Sequence, residues 1–309
     1  MTRILITGGT GMVGRALAEA LEGGEVMVTD LARGDLPKHL PFERMDVTGS
    51  DPDRVIAQVR PDVVVHLASI VTPPPGMSRE TAFAVDVTGT RNVITACLKY
   101  GVRRLVVTSS GAAYGYHADN PVPLTEDQPC RGNPEFAYAD HKRQVEEMLT
   151  EARARHPKLE QVVLRVGTVL GAGTDNQITA LFRRKRLLAI KGSESPFVFI
   201  WTQDLARILK RAATDGPAGI FNVAADGWLS VDTLAATLGK PVLRLPAWIL
   251  RTALQVAKPL GLSRYGPEQV RFLQYRPVLD NGRLKREFGY IPELSSVEVF
   301  DLWRREAGL

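Results

Sequence analysis

Hydrophobic positions in the first 170 residues follow two alternating rhythms. Short β-branched runs (Arg3–Thr7, Glu25–Thr29, Phe42–Asp46, Asp62–His66, Arg103–Thr108 and Gln161–Val166) alternate with longer segments whose apolar period is near 3.6. After the first run, Met12, Val13, Ala16, Leu17, Ala20 and Leu21 form one stripe, with Arg15, Glu19 and Glu22 outside it. The unbroken Val63-Val64-Val65 suits a strand buried on both faces. Strands alternating with helices in this way predict an α/β fold, a doubly wound parallel sheet of Rossmann type.

Beyond about Gly171 the rhythm changes. Helical patterns cover Ile178–Ile190, Gln203–Ala213, Val231–Leu238, Ala247–Ala257, Pro267–Tyr275 and Val297–Ala307. Short strands are expected at Phe197–Ile200 and Gly219–Val223. The division predicts a sheet domain over 1–170 and a smaller, mostly helical lobe over 171–309, with short segments free to pass between them. Two loops, Val71–Ser78 and Gly115–Pro134, have the length and composition of ligand-site loops.

Composition narrows the class. With 44% hydrophobic and 24% charged residues in 309, the chain is neither disordered nor low-complexity. Two cysteines, Cys97 and Cys130, make neither a zinc set nor a disulfide framework, which favours a reducing compartment. Residues Met1–Thr7 reach glycine too soon for an export signal, and Leu245–Leu262 is broken by Arg251, Lys258 and two prolines. A cytoplasmic protein without a membrane partner is expected. The net charge of +5 is mild. The run Arg183–Arg186 reads as the solvated face of a helix, so no nucleic-acid partner is expected. The five histidines lack ligand spacing, so no metal is expected. Trp228, Trp248 and Trp303 read as core or lid packing.

The segment Thr7-Gly8-Gly9-Thr10-Gly11-Met12-Val13-Gly14 joins the first strand to the first helix. Gly8, Gly11 and Gly14 suit a tight turn, close backbone approach to a pyrophosphate, and close helix–strand packing. The helix N-terminus directs N–H groups at the phosphates, with Met12 and Val13 in its first turn. Asp30 ends the second strand, where a carboxylate hydrogen-bonds the adenosine ribose and repels a 2′-phosphate. The expected cofactor is therefore NAD. Arg33, three residues on, keeps NADP as the alternative.

Tyr138 and Lys142 are i,i+4 on a helix whose inward face continues through Val145, Leu149 and Ala152. A lysine on a buried stripe calls for a partner. The chemical reading is an ammonium that lowers the tyrosine pKa and binds the cofactor ribose, with Tyr138 as general acid/base. Thr108-Ser109-Ser110 ends the fifth strand, where the carboxyl edge of the sheet meets the cofactor. Ser110 there can hold a substrate oxygen against the tyrosine.

Taken together, these residues resemble the extended short-chain dehydrogenase/reductases, the NAD-dependent epimerase/dehydratase family. The matching pieces are Thr7–Gly14, Asp30, Asp46-Val47, His66-Leu67-Ala68, Ser109-Ser110 with Tyr114-Gly115, Tyr138/Lys142, Leu164-Arg165, Asp204-Leu205-Ala206 and Phe221-Asn222-Val223. The resemblance implies a dinucleotide-binding domain followed by a substrate lobe. It implies that Asp46 and Val47 flank the adenine, and that Leu67, Ala68, Ser69, Thr108 and Val166 line the cofactor. It also implies Ser110, Tyr138 and Lys142 as the catalytic trio. A homodimer through Glu135–Arg155 and Arg79–Tyr100 is expected.

Departures from the family pattern narrow the chemistry. Asp86 stands where the family often has Asn, leaving that position without an assigned role. Gly111-Ala112 replaces the acid pair of sugar dehydratases, which argues against dehydration. Thr168 and Glu194-Ser195-Pro196 lack the asparagine and the arginine that serve nucleotide sugars. The expected activity is an oxidoreductase moving hydride at a secondary alcohol or ketone carbon of a sugar-like, polyol or other small substrate. A nucleotide-sugar 4-epimerase and a non-catalytic NAD-binding module are the alternatives.

Overall fold

The computed structural model describes residues 2–74, 76–263 and 265–309. In chain order the strands are β1 (Arg3–Thr7), β2 (Glu25–Asp30), β3 (Phe42–Arg44), β4 (Val63–His66), β5 (Arg104–Ser110) and β6 (Glu160–Val166). The short β7 (Thr168–Leu170), β8 (Leu187–Ile190) and β9 (Phe199–Trp201) follow, then β10 (Gly219–Val223) and β11 (Val242–Leu245). Seven of them form one sheet in the order β10-β6-β5-β4-β1-β2-β3, and every pairing is parallel. The expected doubly wound sheet is thus present.

Alternation along each strand splits the apolar side chains between two cores. Ile4, Ile6, Val63, Val65 and Val106 face α1 (Met12–Ala20). Leu5, Val64, Leu105, Val107 and Val163 face the opposite side, covered by α2 (Asp51–Val59), α4 (Gly89–Lys99) and α5 (Ala137–Arg155). The short α3 (Arg79–Phe83) leads into α4 through a π-helical turn, Ala84–Thr88. On the α1 side, the layer is completed by α7 (Thr202–Ala213), after the short α6 (Gln177–Phe182). The α7 stripe Leu205, Ile208, Leu209 and Ala212 is fully buried, at roughly 1.5–3 kcal/mol for each large side chain removed from water.

The strand Gly219–Val223 pairs with β6 and closes the main sheet, although it lies 53 residues after β6 ends (219 − 166). The rest of the second half is mostly helical: α8 (Val231–Thr237), α9 (Ala247–Ala257), α10 (Gln269–Gln274), α11 (Gly282–Arg286) and α12 (Ser296–Glu306). Its short strands pair as β11 with β8 and β7 with β9.

One helix is shorter than expected. The pattern over Ile178–Ile190 breaks at Phe182, and Leu187–Ile190 is a strand. Four consecutive charges leave no apolar residue to continue the stripe, so Arg183–Arg186 turns through solvent with all four side chains exposed. Lys240 Nζ donates to the Phe182 carbonyl at 2.5 Å and satisfies that helix end. Trp303 sits in an aromatic core with Phe182 and Phe300. Trp228 and Trp248 lie outside the core, 50% and 68% exposed.

Candidate active site

The turn after β1 is closed by contacts that exclude side chains. Gly8 has φ +66°, and a Cβ on it would lie 2.6 Å from the Ala68 backbone nitrogen. A Cβ on Gly14 would lie 2.5 Å from the Gly9 Cα. These two glycines let β1, the exit of β4 and α1 converge. Gly11 is the N-cap of α1, with no side-chain cap and no acidic residue in the first turn. Its first-turn residues Met12 and Val13 open on a cleft of about 750 Å³. Uncapped N–H groups and a positive helix end facing a cleft suit a phosphate, so this turn fits a dinucleotide.

Asp30 is half-buried at the end of β2. Its carboxylate accepts from the Thr10 backbone N–H at 3.1 Å and the Thr10 hydroxyl at 2.7 Å, which pins the glycine turn to β2. Arg33 donates to the Pro37 and Leu40 carbonyls at 2.8 and 2.9 Å and lies over the Phe42 ring. Its guanidinium is thereby spent on its own loop. Asp46 folds back on Thr48 at 2.7 Å, and Val47 is buried against the β4–β5 core.

The cleft passes from Met12 and Val13 across Leu67, Ser69, Thr108 and Val166 to Ser110, Tyr138 and Lys142. The sequence-derived catalytic trio therefore shares one wall of the cleft. Two loop expectations meet here as well: Val71, Thr72 and Tyr116 line the cleft, while Pro75 lies outside the described residues. Lys142 is buried, and its Nζ donates to the Thr108 carbonyl at 2.9 Å and lies 5.7 Å from the Tyr138 ring centroid. Burial lowers the Lys142 pKa, while Asp86 and Glu146 oppose that shift. Burial pushes the Tyr138 phenol up to about 12, a hydrogen bond with Ser110 lowers it, and Asp86 raises it. Burial dominates the phenol, and Lys142, whose Nζ lies over the ring, is not among the groups that shift it, contrary to the expected lowering.

Behind this wall lies a buried polar network. Asp86 accepts from His141 Nδ1 at 2.9 Å, from Ser69 Oγ at 2.8 Å and from the Ile70 N–H at 2.8 Å. His66 bonds the Thr7 hydroxyl at 2.7 Å and the Thr90 hydroxyl at 3.0 Å, and Thr90 donates to the Asp86 carbonyl at 2.6 Å. Desolvation holds the His66 imidazole down at about 3, so it is neutral at ordinary pH.

The far end of the cleft contains the residues that sequence reasoning missed. Tyr116, Phe136 and Phe272 form an aromatic wall, with centroids 5.0 to 6.2 Å apart. Arg276 lies between the rings of Phe197 and Phe272, 3.8 and 4.9 Å from their centroids. It is 9% exposed and lines the cleft. Its Nη1 donates to the Ser195 carbonyl at 2.6 Å and hydroxyl at 3.1 Å, and its Nε has no partner among the described residues. Burial lowers its pKa to about 9, with Tyr116 opposing. Ser195 thus occupies the position where an arginine was expected to be lacking, and a guanidinium reaches it from 81 residues away. The sequence signal was slight: an arginine before a proline, Arg276-Pro277, in a stretch that also carries Glu268, Arg271 and Asp280.

Among the described residues, no group of three His, Cys, Asp or Glu is placed to hold a metal, and no helix is long and apolar enough to cross a membrane.

Residues 4–224 match the family model described as the NAD dependent epimerase/dehydratase family. A UDP-glucose 4-epimerase of Azospirillum brasilense is 32% identical over 215 residues, covering 62% of this chain and 60% of that protein. An uncharacterised protein of Mycobacterium tuberculosis is 27% identical over 303 residues, 96% of this chain and 78% of its own length. Among solved structures, the Thermus thermophilus UDP-glucose 4-epimerase complexed with NAD superposes with a TM-score of 0.74 at 25% identity, covering 99% of this chain and 98% of that one. The Bordetella bronchiseptica enzyme WbmG, in complex with NAD and UDP, gives 0.76 at 23% identity, covering 99% and 94%. With the family model matched over most of the chain and the parallel sheet in place, the chain belongs to the NAD dependent epimerase/dehydratase family.

Proposed function

We propose that this protein is an NAD-dependent oxidoreductase acting at a secondary alcohol or ketone carbon. The observation that carries this reading is the placement of Ser110, Tyr138 and Lys142 on one wall of the cleft that begins at the uncapped N-terminus of α1. NAD, when bound, supplies the hydride acceptor or donor. Gly8, Gly11, Gly14, Met12 and Val13 hold its pyrophosphate, and Asp30 meets the adenosine ribose. Leu67, Ala68, Ser69, Thr108 and Val166 line its path. Lys142 binds the second ribose.

Ser110 orients the substrate oxygen and Tyr138 exchanges its proton. With burial pushing its phenol up to about 12, Tyr138 is protonated at neutral pH and set to donate to a ketone oxygen. To take a proton from an alcohol near pH 7, it needs roughly 7 kcal/mol of added phenolate stabilisation. The Lys142 ammonium is the charge that the chain itself brings to that task.

Arg276 favours a second reading within the same site. A buried guanidinium that meets only neutral groups beside an open cleft suits an anionic substrate group. It restores the donor whose absence at Ser195 argued against a nucleotide diphosphate, and so raises the nucleotide-sugar 4-epimerase alternative. A screen of alcohols and nucleotide sugars with NAD, followed at the NADH absorbance, separates the two: net NADH appears in oxidation and not in epimerisation. Tyr138→Phe is expected to retain NAD binding by calorimetry and to lose at least about 10²-fold in turnover. Near-normal turnover in that variant would move the chemistry to another residue.

A further inference from the structure

Helix α9 buries only one edge. Ala247, Leu250 and Leu254 pack inward against Ile190, Val270 and Leu273, yet no residue of the helix is fully buried. At roughly 100° per residue, Trp248, Ile249, Thr252 and Val256 share the outward arc, and Arg251 and Lys258 flank it on one side. Trp248 and Val256 are more than half exposed, as are Leu260 and Leu262 in the turn that follows. Twelve large apolar side chains are exposed among the described residues, and six of them fall between Leu243 and Leu262. Single exposed apolar residues are ordinary, but a cluster of this size marks a surface that meets something.

The positive charge of the chain gathers at the same place. Segments 177–192 and 233–263 hold nine Lys and Arg and no Asp or Glu. The remaining residues hold 30 Lys and Arg against 34 Asp and Glu, so the basic excess belongs to these two segments alone. They lie side by side, because β8 and β11 pair in parallel. Leu181 and Leu188, on either side of the Arg183–Arg186 run, pack into the apolar cluster that receives α9. Two carboxylates meet this charge: Asp232 takes Arg244, and Glu268 takes Lys258 at 3.4 Å. Arg184, Lys185, Arg186, Lys191 and Arg251 are exposed and have no ion pair among the described residues.

An apolar arc among unanswered cations selects its partner. Nucleic acid would meet the cations and gain nothing from exposed Val256, Leu260 and Leu262. A second copy docked by a two-fold axis would bring the same positive charge against itself. An anionic bilayer answers both features, taking the apolar side chains below its headgroups and the cations at them, with tryptophan suited to the boundary. We propose that α9 and the turn after it lie flat on an anionic membrane surface, with the Arg183–Arg186 run at the headgroups. The expectation of no membrane partner came from spanning length, which a helix lying on the surface does not need. Among the described residues, none of α9 lines the cleft, so the proposal is independent of the reaction.

The test uses the full chain and sedimentation with vesicles of phosphatidylcholine containing about one third phosphatidylglycerol, in about 0.1 M salt. The protein is expected to sediment with these vesicles, to stay in solution with pure phosphatidylcholine, and to be largely released at about 0.5 M salt. Trp248→Ser and Val256→Ser should each lower the affinity about tenfold through lost apolar burial. The triple change Arg184→Gln, Lys185→Gln and Arg186→Gln should lower it about 10²-fold. All five side chains are exposed, and circular dichroism confirms that the variants fold. Ile291→Ser, at an exposed apolar residue elsewhere, should bind as the wild type does. Absence of sedimentation with the anionic vesicles would overturn the proposal, as would equal binding by wild type, Trp248→Ser and Val256→Ser. Self-association of the wild type that is lost in Trp248→Ser, without vesicle binding, would assign the arc to a second copy. Binding of a DNA oligonucleotide unaffected by Trp248→Ser, again without vesicle binding, would assign the charge to nucleic acid; either result replaces the membrane.

Discussion

Replacing Arg276 by methionine should leave stability within about 1 kcal/mol of wild type, whereas Arg165→Met should cost about 3–5 kcal/mol, although both arginines are buried. The difference lies in how each charge is met. Arg165 holds Glu146 with two bonds and also donates to the Tyr114 hydroxyl at 2.9 Å and the Glu126 carbonyl at 3.0 Å. Removing it strands a carboxylate whose side chain is only 4% exposed. Arg276 has no carboxylate partner, so its loss strands no charge. Methionine there forfeits about 1.5–3 kcal/mol of charge-assisted bonding to Ser195 and about 2 kcal/mol of contact with the Phe197 and Phe272 rings. It also removes a desolvation penalty of several kcal/mol, so the terms nearly cancel. Binding should respond in the opposite sense. A lost charge-assisted contact of about 2.7 kcal/mol lowers affinity for uridine diphosphate roughly 10²-fold. Urea unfolding midpoints for the three proteins, with calorimetry of uridine diphosphate into the NAD-loaded forms, test both halves. Equal destabilisation by the two substitutions would make Arg276 a structural residue. Wild-type protein that binds neither uridine diphosphate nor pyrophosphate would remove the anion seat.

NAD should bind at least about tenfold more tightly than NADP, about 1.4 kcal/mol, because Asp30 repels a 2′-phosphate and Arg33 is committed to Pro37 and Leu40; competing calorimetric titrations read the ratio. His66 should make the fold acid-sensitive. Its folded pKa of about 3 lies below the unfolded value of 6.5, so between those values the unfolded chain holds the extra proton and stability falls as pH falls, by up to about 1.4 kcal/mol per unit. Denaturation from pH 7 to 4 should show this slope reduced in His66→Gln, and an equal slope would assign the effect elsewhere. A two-fold dimer should form across the shallow groove between α4 and α5, where Ile94, Leu98 and Met148 meet. Light scattering should give twice the chain mass at micromolar concentration, and Met148→Arg should give the monomer.

Local chemistry made most of the sheet and one wall of the site legible in the sequence. Val63–His66 is buried on both faces, so its unbroken apolar run identifies it. The Tyr138/Lys142 face is legible because i,i+4 spacing places Lys142 on the same stripe as Val145 and Leu149, all of them buried. What was lost depends on distant partners. Leu187–Ile190 has the composition of a helix end, and it is a strand because Val242–Leu245 lies beside it. Arg276 meets Ser195, and Asp86 meets His141, through folding of the whole chain, which no local period records. The aromatic wall of Tyr116, Phe136 and Phe272 is gathered from three separate segments in the same way.

The late arrival of β10 imposes an order on synthesis. Until residue 223 has left the ribosome, the seven-residue β6 has no neighbour on its outer side, and its N–H and C=O groups form an open edge beside buried apolar residues. Over nearly the same interval, α1 waits for the α7 layer that covers its side of the sheet, since α7 ends at Ala213. A nascent chain halted after β6, at Val166, and before α7 is complete, at Ala213, presents both an open strand edge and an uncovered apolar layer, the surfaces on which partly made proteins associate. The nucleotide site proposed at the first turn therefore gains a finished scaffold only when more than two thirds of the chain is made, which would couple cofactor capture to the last strand of the sheet rather than to the glycine turn.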